Sequence, residues 1–173
     1  MPFECTKKRP GLMCLGHLAA AVALKAVESE YASSLAAQIL RIPFVCDPQH
    51  YKGDLPDRAT VPIFNDAALT AMLSAFVPED KDRTSPYVSP LIAPPELLKK
   101  LPPTYIDACA ADPLCVPAVA YGKVLEESGV PVKAFVLEGM PHGSYVLFPD
   151  LPSSRSAWDA CVEGTKWALN GGK

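Results

Sequence analysis

The sequence predicts an α/β fold, an open sheet of about three parallel strands with flanking helices. Three observations carry that expectation. Segments of helix and strand character alternate in the order α-β-α-β-α-β-α, which implies parallel βαβ units with right-handed crossovers. The 173 residues are 49% hydrophobic, one domain's length with enough apolar side chain for a core. The first helical segment is apolar nearly all round, as expected of a helix covered on both sides.

The elements follow in order. Residues 16–30 are rich in Ala and Leu with no breaker, so they form a helix. Residues 37–45 read as a strand, with Pro43 removing one ladder bond near its end. Residues 47–62, rich in Asp, Pro and Gly, form a long loop. Asn65 or Asp66 then caps a helix whose Leu69, Met72, Leu73 and Phe76 fall at i, i+3, i+4 and i+7, and Pro78 closes it. The Pro-rich stretch 78–103 holds a short turn of helix near 96–100. A second strand covers 103–109, and a helix over 117–128 starts on Pro117 and stops at Gly129. A third strand covers 132–137. The last helix, 154–169, is expected to place Trp158, Cys161, Val162, Thr165 and Leu169 on one stripe and to end at Asn170-Gly171-Gly172.

Charge and cysteine content limit the function classes. Sixteen basic against nineteen acidic residues give a net charge of -3, so no basic face offers itself to nucleic acid or to an anionic membrane. Six cysteines show no CxxC spacing for zinc and a density far below a disulfide scaffold, so reduced, mostly buried thiols and a cytoplasmic setting are expected. Lys7-Lys8-Arg9 before the apolar run 11–24 imitates a secretory leader. His17 interrupts that run, which is shorter than the ~20 residues of a membrane span, and a buried helix explains the same residues.

In an open parallel sheet, reactive groups gather on loops at the C-terminal ends of the strands. Asp112-Pro113-Leu114 and Gly139-Met140-Pro141-His142-Gly143 both fall there, on consecutive strands. A hydroxyl nucleophile is weak until a histidine removes its proton, and that histidine needs a carboxylate to fix its tautomer and stabilise its charge. Asp112 and His142 are of the right types, in the chain order nucleophile, acid, base.

Several further segments make a resemblance specific. Gly16-His17-Leu18-Ala19-Ala20-Ala21-Val22-Ala23-Leu24, Asp82-Arg83-Thr84-Ser85-Pro86-Tyr87-Val88-Ser89-Pro90-Leu91, Leu101-Pro102-Pro103-Thr104 and Ser128-Gly129-Val130-Pro131-Val132 occur together with the two motifs above. In kind, order and spacing they resemble the hormone-sensitive-lipase-like α/β-hydrolases, from about residue 16 to the end. The resemblance implies a truncated α/β-hydrolase fold, the C-terminal part of that domain over 16–173, after a degenerate segment over 1–15. It implies carboxylesterase ancestry, with short or medium acyl esters or lactones as substrates, no cofactor or metal, Asp112 as triad acid and His142 as base.

The departures from the family pattern bear on activity. Alignment on Gly16-His17-Leu18-Ala19 puts Met13 at the serine nucleophile and Leu15 at a glycine of the sharp elbow. A thioether cannot attack an ester. No His-Gly-Gly oxyanion loop occurs in the sequence, and each lost donor of that kind costs about 10²–10³ in rate. A shifted elbow with Cys14 as a thiol nucleophile is the alternative at this site. Cys115-Val116-Pro117 stands where the family continues with Arg and acidic residues, which removes the usual polar support of the acid. Two functional readings remain, an esterase-like protein impaired as written and a non-catalytic binding or interaction module. His17 either lines an acyl pocket or sits at a solvated helix start, His50 lacks ligands at metal spacing, and Ser144 reads as a turn or helix-start residue. Without a nucleophile-strand neighbour the first strand exposes an edge through which copies of the chain can pair.

Overall fold

The computed structural model describes residues 12–55 and 61–173, with only the backbone for residues 12–15. The chain runs α1 (Leu12–Val27), β1 (Gln38–Arg41), α2 (Asp66–Phe76), α3 (Pro95–Leu98), β2 (Thr104–Ala111), α4 (Cys115–Glu127), β3 (Val132–Pro141), α5 (Ser144–Leu147) and α6 (Pro152–Leu169). The three strands form one parallel sheet in the order β1-β2-β3. The expected α/β architecture is therefore present, and the two strands that carry the candidate acid and base are neighbours.

Alternation along the strands sorts the helices onto two faces. Leu40 of β1 and Ile106 and Ala108 of β2 meet Leu24 of α1 and Tyr121 and Leu125 of α4 in the larger core cluster. Cys109 of β2 and Leu137 of β3 face the other way, onto Tyr145 of α5 and Ala157 of α6. A third cluster under the long loop gathers Phe44, Leu69, Leu73 and Leu114, with Phe64 and Met72 packed against it. α1 crosses the end of β1 closely, since a Cβ on Gly16 would lie 2.6 Å from the Arg41 carbonyl oxygen.

Several boundaries differ from the sequence reading for local physical reasons. α1 includes residues 12–15, ahead of the expected start at 16, because nothing in Leu-Met-Cys-Leu breaks a helix. Positions 13 and 14 thus lie within this helix, and their side chains lie outside the described residues. β1 stops at Arg41, four residues early, because Ile42 adopts φ 39° and Pro43 follows. β3 runs four residues further than expected, to Pro141. Asn65 is the cap of α2, its side chain accepting from the Ala68 N–H at 3.1 Å.

α6 overturns the expected stripe. Trp158, Val162 and Leu169 are 46%, 51% and 59% exposed, and the buried positions are Ser154, Ala157, Gly164 and Ala168. The helix lies so close to β2 that a Cβ on Gly164 would meet the Tyr105 ring at 2.0 Å. At that separation only small side chains fit between helix and sheet, so side-chain size selects the inner face rather than hydrophobicity.

Candidate active site

Asp112 and His142 each follow the last residue of a strand. Ala111 of β2 and Pro141 of β3 are paired in register, so the two chains leave the sheet side by side. The pairing is irregular just before that point. Cys109 pairs with Leu137, an offset of 28, whereas Ala111 pairs with Pro141, an offset of 30, so β3 takes up two extra residues. Gly139 within that stretch adopts φ +67°, the left-handed conformation that a bulge of this kind uses. The bulge is what sets His142 level with Asp112. Gly143, at φ +69°, then turns the chain into α5.

The Asp112 and His142 side chains meet, with His142 Nδ1 2.5 Å from Asp112 Oδ2. Asp112 Oδ1 accepts from the Leu114 N–H at 2.9 Å. That main-chain bond closes an Asx turn, so the Asp-Pro-Leu motif itself gives the carboxylate polar support ahead of Cys115-Val116-Pro117. The Asp112 side chain is 1% exposed and that of His142 12%, so the carboxylate sits behind the imidazole and the imidazole borders solvent. Among the described residues no hydrogen bond engages His142 Nε2. The Phe64 ring, from the turn before α2, lies against the imidazole with centroids 4.9 Å apart and 36° between planes.

Behind the pair, Ser144 is fully buried and its hydroxyl lies 3.8 Å from the Cys109 thiol of β2. It is the first residue of α5, as the sequence suggested. Burial pushes the Cys109 and Cys115 thiols up to about 11, so both stay protonated near neutrality. Arg41 lies on the same face of the sheet, its Nε 2.6 Å from Asp107 Oδ2 and its guanidinium between the Tyr145 and Trp158 rings, 4.0 and 4.3 Å from their centroids. This stack explains why Trp158 stays on α6 while half exposed.

His17 is not at a solvated helix start. It is 5% exposed, and its Nε2 lies 3.1 Å from the Val88 carbonyl oxygen, with the Phe44 and Phe76 rings 5.7 and 5.2 Å away. It fastens α1 to the loop before β2. The loop after β1 is fixed similarly, with buried Asp47 3.5 Å from buried Arg83 and its N–H donating to Ser89 Oγ at 3.1 Å. Among the described residues no cluster of His, Cys, Asp or Glu could hold a metal ion, and no helix is long and apolar enough to cross a membrane. Cys46, Cys109, Cys115 and Cys161 are free thiols, the first three buried.

The paired motifs and the parallel sheet agree with comparison to known proteins. Residues 15–146 match the model of the α/β-hydrolase fold family. The chain belongs to that family. Human hormone-sensitive lipase is 40% identical to it over 85 residues, 49% of this chain and 8% of the lipase. An esterase of Gibberella moniliformis is 29% identical over 131 residues, 73% of this chain and 40% of the esterase. The crystal structure of a thermostable esterase from Pseudomonas putida ECU1011 superimposes with a TM-score of 0.76 at 28% identity, covering 90% of this chain and 48% of that one. This α/β-hydrolase thus spans less than half the length of each of the three, and its likeness is to the hormone-sensitive-lipase-like esterases and lipases.

Of the residues singled out from sequence, the α/β-hydrolase fold brings Asp112 and His142 together. It places His17 and His50 elsewhere. Met13 and Cys14 lie among the side chains not described. Phe64 and the Cys109–Ser144 contact were not found by sequence reasoning. Neither has a motif, and both arise where distant segments pack.

Proposed function

We propose that this α/β-hydrolase carries the acid and base of a carboxylester hydrolase site, Asp112 and His142, and that ordinary ester turnover is impaired because Met13 occupies the nucleophile position. Residues 1–15 are on this reading a degenerate segment, and 16–173 the C-terminal part of the hydrolase domain. The single observation that carries it is the 2.5 Å contact between His142 Nδ1 and Asp112 Oδ2 at two adjacent strand ends. Asp112 accepts the Nδ1 proton and fixes the tautomer, which leaves Nε2 as the basic nitrogen. A serine hydroxyl at position 13 would be activated by that nitrogen, but a methionine has no proton to give up and no oxygen to attack with.

The ligand is a small ester or lactone, bound without a cofactor. The net charge of -3 argues against nucleic acid, and the free thiols favour a cytoplasmic setting. The second reading, a binding module without turnover, draws on the same Met13. Incubation with tributyrin, whose alkoxide leaving groups need a working triad, is expected to give no turnover, and a fluorophosphonate probe to label no residue. Tributyrin hydrolysis that His142→Ala abolishes would sink the impaired reading.

A further inference from the structure

We propose that His142 is itself a nucleophile toward activated aryl esters, an inference that rests on the reading above in placing no serine in front of it. Asp112 holds Nδ1 at 2.5 Å, and the second carboxylate oxygen is taken by the Leu114 N–H. A carboxylate only accepts, so the shared proton sits on Nδ1 and the in-plane lone pair sits on Nε2, pointing away from Asp112. Among the described residues nothing hydrogen-bonds to that nitrogen, and the side chain is 12% exposed at the end of the sheet. In a complete triad the same lone pair would be occupied by the serine proton. Among the described residues nothing competes for it, and it is available to form a bond to carbon.

The other described imidazoles and the buried thiols are placed less well. His17 is buried with Nε2 against the Val88 carbonyl, and the side chain of His50 has no carboxylate partner among the described residues. The buried thiols of Cys46, Cys109 and Cys115 are pushed up to about 11 by burial and remain protonated.

The step balances without any further reactant but water. The Nε2 lone pair adds to the acyl carbon, the bond from that carbon to the aryl oxygen breaks, and aryloxide leaves with the electron pair. The acyl-imidazolium is stabilised by the Asp112 carboxylate at Nδ1. Water then adds to the acyl carbon, the carbon–nitrogen bond breaks, and the pair returns to Nε2. The two protons of that water pass through solvent to the carboxylate product and the aryloxide, giving acid and phenol. Aryloxide leaves unaided, whereas alkoxide needs a general acid that no described side chain offers in front of Nε2, so the activity is confined to aryl esters. Phe64, lying along the imidazole at 4.9 Å, offers an apolar face on which an aryl leaving group stacks.

4-Nitrophenyl acetate and the full chain test this. Nitrophenolate release is expected to exceed that of an equal concentration of free imidazole, to persist in His50→Gln, and to fall to the buffer rate in His142→Ala. Acid quenching during turnover, followed by peptide mass mapping of the unmutated protein, is expected to place the acetyl group on His142. That measurement stands even where His142→Ala fails to fold. Phe64→Leu is expected to raise KM by about 2- to 10-fold with kcat kept. An acetyl group mapped to Cys14 or to lysines, activity lost in Cys14→Ser, or release no faster than free imidazole would each overturn the inference. Tributyrin turnover or fluorophosphonate labelling would instead remove the reading of an impaired triad, and silence toward both ester classes removes this inference alone.

Discussion

At the scale of single residues, the polar side chains that matter are those whose partners lie far away in sequence. His17 donates through Nε2 to the Val88 carbonyl and is enclosed by Phe44 and Phe76, and burial lowers its pKa below the ordinary histidine value. The neutral ring is therefore what the folded state accommodates. Above pH 6.5 the histidine is neutral in both folded and unfolded chains, and its contribution is fully present. As pH falls from 6.5 toward the lowered folded value, the unfolded chain binds the proton first and that contribution is lost. The urea midpoint of the unmutated protein is thus expected to drop between pH 7 and pH 5 more than that of His17→Gln, which keeps an amide donor but does not titrate. Parallel curves for the two proteins would show that His17 does not carry the effect. The sequence left this burial open, because a histidine at a helix start looks the same whether or not a loop seventy residues away covers it.

At the scale of elements, strand ends and helix contact faces decide the geometry. Gly139→Ala adds no clash, since nothing lies within 4 Å of the added Cβ, but it forces a left-handed conformation on a residue with a side chain. Its cost is expected at about 1–2 kcal/mol in urea unfolding, with His142 acylation by 4-nitrophenyl acetate falling as the bulge relaxes. Unchanged stability would show that the bulge is not held by this glycine. Gly164→Ala differs in kind, because its methyl would overlap the Tyr105 ring. Overpacking of that sort costs about 1–3 kcal/mol, read as a lowered melting temperature, whereas Ala at exposed Val162 should change little. The existence of the helices expected over 16–30 and 117–128, of the helix capped near 65–66 and of all three strands was legible because local propensity and tertiary packing agree there, though the ends moved by up to four residues. The meeting of Asp112 and His142 was legible too, since Asp-Pro-Leu and Pro-His-Gly fall at the ends of consecutive strands, although the bulge that levels them was not. The inner face of α6 was not, because the distance between helix and sheet belongs to neither segment. Nor were the last four residues of β3, whose pairing with β2 continues only through the bulge.

At the scale of the molecule, a three-stranded sheet with helices on both faces has two edges, and β1 forms one of them. Gln38 and Ile42 donate to the Pro103 and Asp107 carbonyls of the β2 side at 3.0 and 2.8 Å. Successive residues of a strand turn their backbone groups to opposite sides, so Ile39 and Arg41 direct theirs outward, the Arg41 carbonyl toward Gly16 of α1. Among the described residues no strand pairs with that outer side. Unpaired N–H and C=O groups in a row form a template for another strand, and this edge carries neither a proline nor a lysine to blunt it. A second copy of the chain offers the same edge, and two such edges related by a two-fold axis run antiparallel, the geometry a ladder between copies requires. Light scattering across a dilution series is therefore expected to show a concentration-dependent dimer. Ile39→Pro removes one outward N–H while leaving the Gln38 and Ile42 bonds to β2 intact, and proline is tolerated at that position of an edge strand. The variant is expected to remain folded and to run as a monomer. A monomer for the unmutated chain at every concentration, or a dimer that survives Ile39→Pro, would place self-association elsewhere than at β1.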